Sequence, residues 1–320
     1  MLGVVTDFAS LALHRMLVAD TVRCDAYRRA IAAVVRPGDE VLDVGTGSGL
    51  LALFACQAGA SRVVAVERTG IVAMARKIIA RSEHASRIEI VHGDARELEL
   101  PRRVAVVLSE LVSKAVFGQR HHETIALCRE RFLAPGGRMV PEHVALVAAP
   151  FDAEAVFAGT CFPPPDRYGI DFTAAERALR DEPFSAALPA GGALSKPQTV
   201  HAVDSLTVTG PVRLDVTARF AVERAGTLHG LGLWFDARLA PGVELSNRPP
   251  GLGSWDQLFL PLRQATPVEP GFAVELRLGC AHPEATEPIW SWSTRVLDEA
   301  GATRVELAQS SLASAVPVPP

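Results

Sequence analysis

The sequence predicts an α/β domain built on a parallel sheet, followed by an antiparallel all-β domain. Two observations carry that prediction. Up to about residue 145, short runs of Val, Ile and Leu alternate with helical stretches; beyond it, several segments alternate apolar and polar residues one by one. Strands that alternate with helices imply βαβ units and a parallel sheet. Period-two alternation in several runs implies a barrel or sandwich with one wet face. With 320 residues, 48% hydrophobic and 21% charged, the chain is long enough for two packed cores and too apolar for disorder.

The first helix is expected over residues 8–35, where Leu11, Leu13, Met16, Leu17, Val22, Tyr27, Ala30 and Ile31 recur at helical spacing. Pro37-Gly38 stops it. Four apolar runs follow, EVLDVG (40–45), RVVAVE (62–67), RIEIVHGD (87–94) and VAVVLSE (104–110), with helices over 50–58 and 69–82 between the first three. Continuous runs of this kind are what buried parallel strands look like. A helix over 119–133 leads through Pro135-Gly136-Gly137 to a further strand. In the second half, VRLDVTARFAV (212–222) places Val212, Leu214, Val216, Ala218 and Phe220 on one face, and FAVELRLG (272–279) repeats the pattern. TLHGLGLWFDARL, QLFLPLR and IWSWSTRVL are further strand candidates. Residues 159–198, rich in Pro, Ala and Gly with a helical piece near FTAAERALRD, form an insertion. The division expected is 1–36 N-terminal helices, 37–145 a Rossmann-like domain, 146–310 the β-barrel, and 311–320 a disordered tail.

Charge and cysteine usage exclude several classes. The net charge is −4, with 13 basic and 20 acidic residues in 146–320. No basic stripe is present, which argues against nucleic acid as the partner, and an acidic second half suits a cationic substrate. The five cysteines are scattered and never form a CxxC pair, so reduced thiols are expected and no metal site. No signal peptide or long apolar run is visible, which leaves the cytoplasm as the expected location and no membrane contact.

The strongest motif is Val41-Leu42-Asp43-Val44-Gly45-Thr46-Gly47-Ser48-Gly49, a strand, a glycine loop and a helix. The glycines let the backbone come close to a ligand. Glu67 ends the next strand, 22 residues after Gly45, where a carboxylate accepts ribose hydroxyls. A dinucleotide fingerprint spaces its glycines G-x-G-x-x-G to seat a pyrophosphate. Here the third glycine comes one residue early and Asp43 precedes the loop, which would repel a diphosphate and suits the cationic amino-acid end of S-adenosylmethionine. Asp94, with Ala95 and Glu97 beside it, is placed to reach the adenine edge.

With these motifs in place, the sequence resembles the protein arginine methyltransferases through most of its length. His14-Arg15-Met16-Leu17, Asp20, Arg23 and Tyr27 match the family's helix over the cofactor. The resemblance implies that Arg23 binds the methionine carboxylate and that His14 lies by the active site. VLDVGTGSGLLALFACQAGASRVVAVE is similar to the family's first motif, and LAPGGRMVPEHVAL to its junction into the barrel. YGIDFTAAERALRDEPF resembles the dimerisation arm, so the insertion 159–198 implies a homodimer.

The acceptor loop departs from the pattern. The family carries two glutamates nine residues apart; this chain has Glu110 at the first position and Gln119 at the second. A guanidinium is a planar cation with a pKa above ~12 and hence a poor nucleophile. Two carboxylates clamp it bidentately and polarise it, and they hold one nitrogen in line with the methyl group. An amide at position 119 accepts a hydrogen bond without charge assistance, at a cost of about 1–2 kcal/mol. The family's Thr-His-Trp loop reads Gly253-Ser254-Trp255, which keeps the tryptophan and loses the histidine. The family's N-terminal tyrosines fall at Val4 and Phe8. Glu110, Gln119 and His14 are therefore the expected catalytic residues, and Glu110, Gln119, Ser254 and Trp255 the expected acceptor contacts. His121 and His122, adjacent on a helix, are expected to point apart into solvated or packing roles, and Glu123 is a weaker candidate for a displaced second carboxylate. The expected reaction is N-methylation of a guanidino group, peptidyl or free. Methylation of a different metabolite and a non-catalytic cofactor-binding dimer are the alternatives.

Overall fold

The computed structural model describes residues 8–117, 120–162, 168–210, 213–251, 253–281 and 288–312. Two helices open it where the periodicity predicts one. Helix α1 (Leu11–Ala19) is capped by Ser10, whose hydroxyl accepts from the Leu13 N–H at 3.4 Å. At Asp20 the backbone turns extended, and its carboxylate accepts from the Arg23 N–H at 3.0 Å to start α2 (Thr21–Val34). An aspartate at this position competes for backbone donors and favours a cap over helix interior, while the apolar spacing runs on across the break.

The first sheet has five strands: β1 (Glu40–Val44), β2 (Arg62–Glu67), β3 (Ile88–His92), β4 (Val104–Ser109) and β5 (Leu133–Val140). Their order is β3-β2-β1-β4-β5 and every pairing is parallel. Helices α3 (Leu50–Gln57), α4 (Val72–Ile79) and α5 (His121–Phe132) connect them. β1 is buried along almost its whole length, as its unbroken apolar run requires. The chain moves outward from β1 through β2 to β3 and then returns to β4 on the other side. A crevice therefore opens at the carboxyl ends of β1 and β4, the place where open α/β sheets bind ligands.

The second half is two antiparallel sheets. One contains β6 (His143–Phe151), β7 (Phe184–Ala186), β8 (Gln198–Asp204), β10 (Gly226–Ala240), β11 (Val243–Ser246) and β12 (Gln257–Val268), ordered β7-β12-β10-β6-β8 with β11 paired to β10. The other is β15-β14-β13-β9, from β9 (Leu214–Ala221), β13 (Ala273–Ala281), β14 (Ile289–Leu297) and β15 (Thr303–Ser310). β8 lies against β9 and β12 against β15, so the two sheets close into a barrel. β9 buries Leu214 and Phe220 and exposes Asp215, Thr217 and Arg219, as its alternation predicts. β10 is buried on both faces: Leu231, Leu233 and Phe235 join the barrel core, and Trp234 on the other face packs with Phe151, Phe184 and Leu188. Tyr27 and Ile31 of α2 share one apolar core with Leu231, Leu233 and Phe235 of β10, which joins the two halves. α6 (Glu154–Ala158) leads into the insertion, which holds α7 (Thr173–Leu179) and β7. No helix among the described residues is long and apolar enough to cross a membrane.

Candidate active site

The glycine loop follows β1. Gly45 and Thr46 donate their N–H groups to Val66 O at 2.9 and 3.0 Å, and Gly49, with φ +86°, caps α3. Glu67 is buried and holds the loop from the side. One of its oxygens accepts from the Gly47 N–H at 3.0 Å, the other from the Thr69 N–H at 2.8 Å. Each oxygen keeps a lone pair for a further donor. Gly47 serves a neighbour that the sequence reading did not anticipate. A Cβ there would lie 2.7 Å from Cε1 of His14, so the missing side chain seats the imidazole over the loop. His14 Nε2 is 3.0 Å from Phe8 O, which fixes the ring.

Asp43 is fully buried on β1. Its Oδ2 accepts from the Thr46 hydroxyl at 2.6 Å, and its Oδ1 has no partner in the structure. Burial pushes its pKa up to about 7; the Thr46 hydroxyl and the Ala52 N–H oppose that shift, and the charges of Glu67 and Glu110 add to it. On the neighbouring strand β4, one register position along, the buried hydroxyl of Ser109 is likewise unpartnered. An orphaned carboxylate oxygen in a dry crevice costs several kcal/mol unless a donor fills it. A ligand that brings an ammonium group satisfies that requirement, and a diphosphate does not, so the residues present fit S-adenosylmethionine.

The other expected cofactor residues lie further out. Asp94 is held by its own neighbour Arg96, through Nε at 3.0 Å, Nη2 at 2.7 Å and the backbone N–H at 2.8 Å. That ion pair holds its carboxyl below the usual range. Ala95 is buried in the sheet's second apolar cluster and Glu97 is exposed.

Glu110 begins the loop after β4. Its Oε2 accepts from Arg23 Nη2 at 2.7 Å, with both side chains largely buried. Burial disfavours a charged guanidinium, but Glu110, by its charge and its hydrogen bond, more than offsets this and raises the pKa of Arg23. Arg23 also donates to Leu17 O at 3.0 Å, and its guanidinium carbon lies 5.8 Å from the Trp255 ring centroid. The residue expected for the cofactor carboxylate and the residue expected for the acceptor thus hold each other.

The barrel loop reaches the same place. The N–H and hydroxyl of Ser254 donate to Asp20 Oδ2 at 2.6 and 2.8 Å. A Cβ on Gly253 would lie 2.3 Å from that oxygen, so only glycine allows the loop to close on the helix cap. Ser254, expected to meet the acceptor, is committed to Asp20. Trp255 packs edge-on against Phe235 at 5.2 Å.

Gln119 lies outside the described residues. Beyond it, Glu123 is bound by Arg120, whose Nε donates at 2.6 Å, so its carboxylate is already engaged on α5. Of the two roles expected for the histidines, solvated or packing, the structure shows packing: His121 and His122 are both buried. His122 packs 4.7 Å from Phe117 and 5.8 Å from His201. Burial lowers their pKa values to about 4 and about 3, with His121 and His201 adding to the shift of His122. Both rings are neutral near pH 7. Among the described residues, no group of three His, Cys, Asp or Glu side chains could hold a metal ion. The sequence reading gave no role to Lys114, Asn247 or Gln257, which tie the acceptor loop to the barrel from residues 9 to 133 positions apart and left no local signal.

Comparison with known proteins fits this geometry. A family model described as a methyltransferase domain matches residues 41–137. A probable protein arginine N-methyltransferase 6.1 of Oryza sativa subsp. indica is 29% identical over 259 residues, covering 78% of this chain and 68% of the relative. A probable histone-arginine methyltransferase 1.4 of Arabidopsis thaliana is 31% identical over 243 residues, 72% of this chain and 46% of the relative. The chain thus spans about half to two thirds of the length of such relatives. Among solved structures, Arabidopsis thaliana protein arginine methyltransferase 10 superimposes with a TM-score of 0.82 at 23% identity, over 95% of this chain and 99% of the other. The Trypanosoma brucei PRMT1 enzyme-prozyme heterotetrameric complex with AdoHcy gives 0.85 at 21% identity, over 95% and 99%. The chain therefore contains a methyltransferase domain over residues 41–137, is similar in sequence to protein arginine N-methyltransferases, and shares the fold of the solved ones.

Proposed function

We propose that this protein transfers a methyl group from S-adenosylmethionine to a guanidino nitrogen of arginine, peptidyl or free. The observation that supports this most directly is Glu110, a largely buried carboxylate directly after β4 whose charge is felt by Asp43 and which pairs with Arg23, itself 5.8 Å from the Trp255 ring. The cofactor supplies the methyl group as an electrophile on a sulfonium. Asp43, through its unpartnered oxygen, receives the ammonium of the bound amino-acid end. Glu67 receives the ribose hydroxyls, and Asp94, Ala95 and Glu97 border the adenine. His14 and α1 cover the loop and keep water from it.

Glu110 has two oxygens, of which Arg23 takes one. The other accepts an N–H of the acceptor guanidinium and draws positive charge toward that nitrogen. Trp255 bounds the opposite side. Gln119 offers an acceptor without charge, so the once-methylated nitrogen is held less firmly and the product is mainly monomethylated. The assembly is a homodimer formed through the insertion. Tyr168 and Ile170 are 68% and 53% exposed there, and Leu11, Val18 and Val22 of α1 and α2 are also exposed, which gives apolar surface on both sides of such a contact.

The testing experiment is transfer of an isotopically labelled methyl group, with free arginine and arginine-bearing peptides offered side by side and products read by mass spectrometry. A labelled guanidino product supports the reading. Label on neither, with cofactor binding intact, overturns it. Light scattering of the wild type against a Tyr168→Asp/Ile170→Asp double variant tests the dimer: a wild-type mass of one chain overturns it.

A further inference from the structure

The acceptor loop carries a cation that the mechanism above leaves unused. Lys114 lies four residues after Glu110, half-buried, and its ammonium donates to the hydroxyl of Ser185 on β7. Ser185 in turn donates to Asp256 Oδ2 at 3.2 Å, in the barrel loop directly after Trp255. Lys114 makes no ion pair among the described residues; burial lowers its pKa and Asp256 only partly opposes that shift. Behind this row stands a rigid support. The fully buried Asn247 donates its side-chain amide to Lys114 O at 3.2 Å and to Asp256 O at 2.9 Å, so one amide sets the spacing between the two charged residues. Gln257, also fully buried, donates to Asn247 O at 2.6 Å and accepts from the Leu188 N–H at 2.8 Å, which anchors the end of the insertion to the same support.

An ammonium, a hydroxyl and an exposed carboxylate held side by side match a carboxylate and an ammonium held side by side. We propose that Lys114, Ser185 and Asp256 form a recognition subsite for the head group of a free α-amino acid whose guanidino end lies at Glu110, Lys114 taking the α-carboxylate and Asp256 the α-ammonium. The inference rests on the guanidino reading of Glu110 and deepens it, because an arginine inside a peptide has neither charge. At most ~14 Å of chain separates Glu110 from Lys114, the scale of one guanidino amino acid from end to end. A lysine that merely tethered the loop to β7 would not need an exposed carboxylate fixed beside it.

The experiment compares arginine, Nα-acetylarginine, argininamide, agmatine and a peptide with an internal arginine. Methyl-transfer kinetics are read together with calorimetric binding in the presence of S-adenosylhomocysteine. Arginine is expected to exceed agmatine and argininamide at least tenfold in kcat/KM. In Lys114→Met the arginine-to-agmatine ratio falls toward one, chiefly through KM and with the same loss in Kd, while Lys114→Arg retains most of the preference. Asp256→Asn reduces the preference for arginine over Nα-acetylarginine. The subsite is overturned if the wild type treats arginine and agmatine alike, if Lys114→Met lowers both by one factor, or if the peptide is preferred to free arginine; in each case the guanidino reading stands. If no guanidine is bound or labelled, that reading falls first and the subsite with it.

Discussion

The two sides of the active-site crevice are held together in different ways. On the cofactor side, the glycine loop, Asp43 and Glu67 are tied by contacts between residues at most 26 positions apart, and one buried oxygen is left over. On the acceptor side the charged groups are committed to one another across distant segments: Arg23 to Glu110, 87 positions apart, and Asp20 to Ser254, 234 apart. The cofactor side is a cradle formed by one βαβ unit. The acceptor side exists only when helix, loop and barrel are assembled, so damage to any one of them should register there first.

Glu110→Gln tests that contrast most severely. It removes the charge proposed to polarise the acceptor and leaves the buried Arg23 facing an uncharged amide, where breaking a buried ion pair costs up to about 3–5 kcal/mol. Turnover should fall on the order of 10³-fold, while cofactor affinity, measured by calorimetry, changes little because Asp43 and the glycine loop are untouched. Unchanged turnover would remove Glu110 from the mechanism.

Asp20→Asn is the next step down. Asp20 touches no reacting atom; it caps α2 and holds the barrel loop through Ser254. Asparagine still caps a helix but accepts both Ser254 donors more weakly. We expect a loss of about 10–100-fold in kcat with a smaller change in melting temperature, as misplacement of a positioned group produces. A variant equally impaired in cofactor binding would show that the two sides are not separable.

These contacts also explain what the sequence revealed. Asp43, the glycines and Glu67 are legible because their chemistry is local: a strand end, a turn and the next strand end. β9 and β13 are legible because alternation follows directly from a sheet with one wet face. The break at Asp20 is hidden because the apolar spacing continues through it. The commitment of Ser254 is hidden because its partner lies 234 residues away, and the burial of His121 and His122 because Phe117 and His201 come from other elements.

Asp43 gives the cofactor side its own pH signature. With its pKa at about 7, it is largely protonated in the free protein at pH 6, whereas an incoming ammonium requires the carboxylate. Cofactor binding should therefore weaken as pH falls below 7, approaching tenfold per pH unit, and the slope should disappear in Asp43→Asn. A flat profile in the wild type would mean that the orphaned oxygen does not meet the ammonium.

The histidines act on stability instead, and the sign is opposite to that of Asp43. His121 and His122 titrate at about 4 and about 3 in the folded protein and near 6.5 when unfolded. Between those limits the unfolded chain binds more protons, so stability falls as pH drops from 6.5 toward 4 by up to about 1.4 kcal/mol per pH unit for each ring. Asp43, at about 7 folded and 3.8 unfolded, binds its proton in the folded state over the same window and offsets one ring. The net slope is at least about one proton, because His201, whose pKa burial also lowers, adds to it. Denaturant unfolding from pH 7 to 4 should show it, His122→Phe should reduce it by about one proton, and Asp43→Asn should raise it by about one. A wild-type slope of zero together with an unchanged slope in Asp43→Asn would mean that the pocket between α5 and the barrel admits water to the rings, and that the acceptor loop rests on a wetter support than the packing of Phe117 implies.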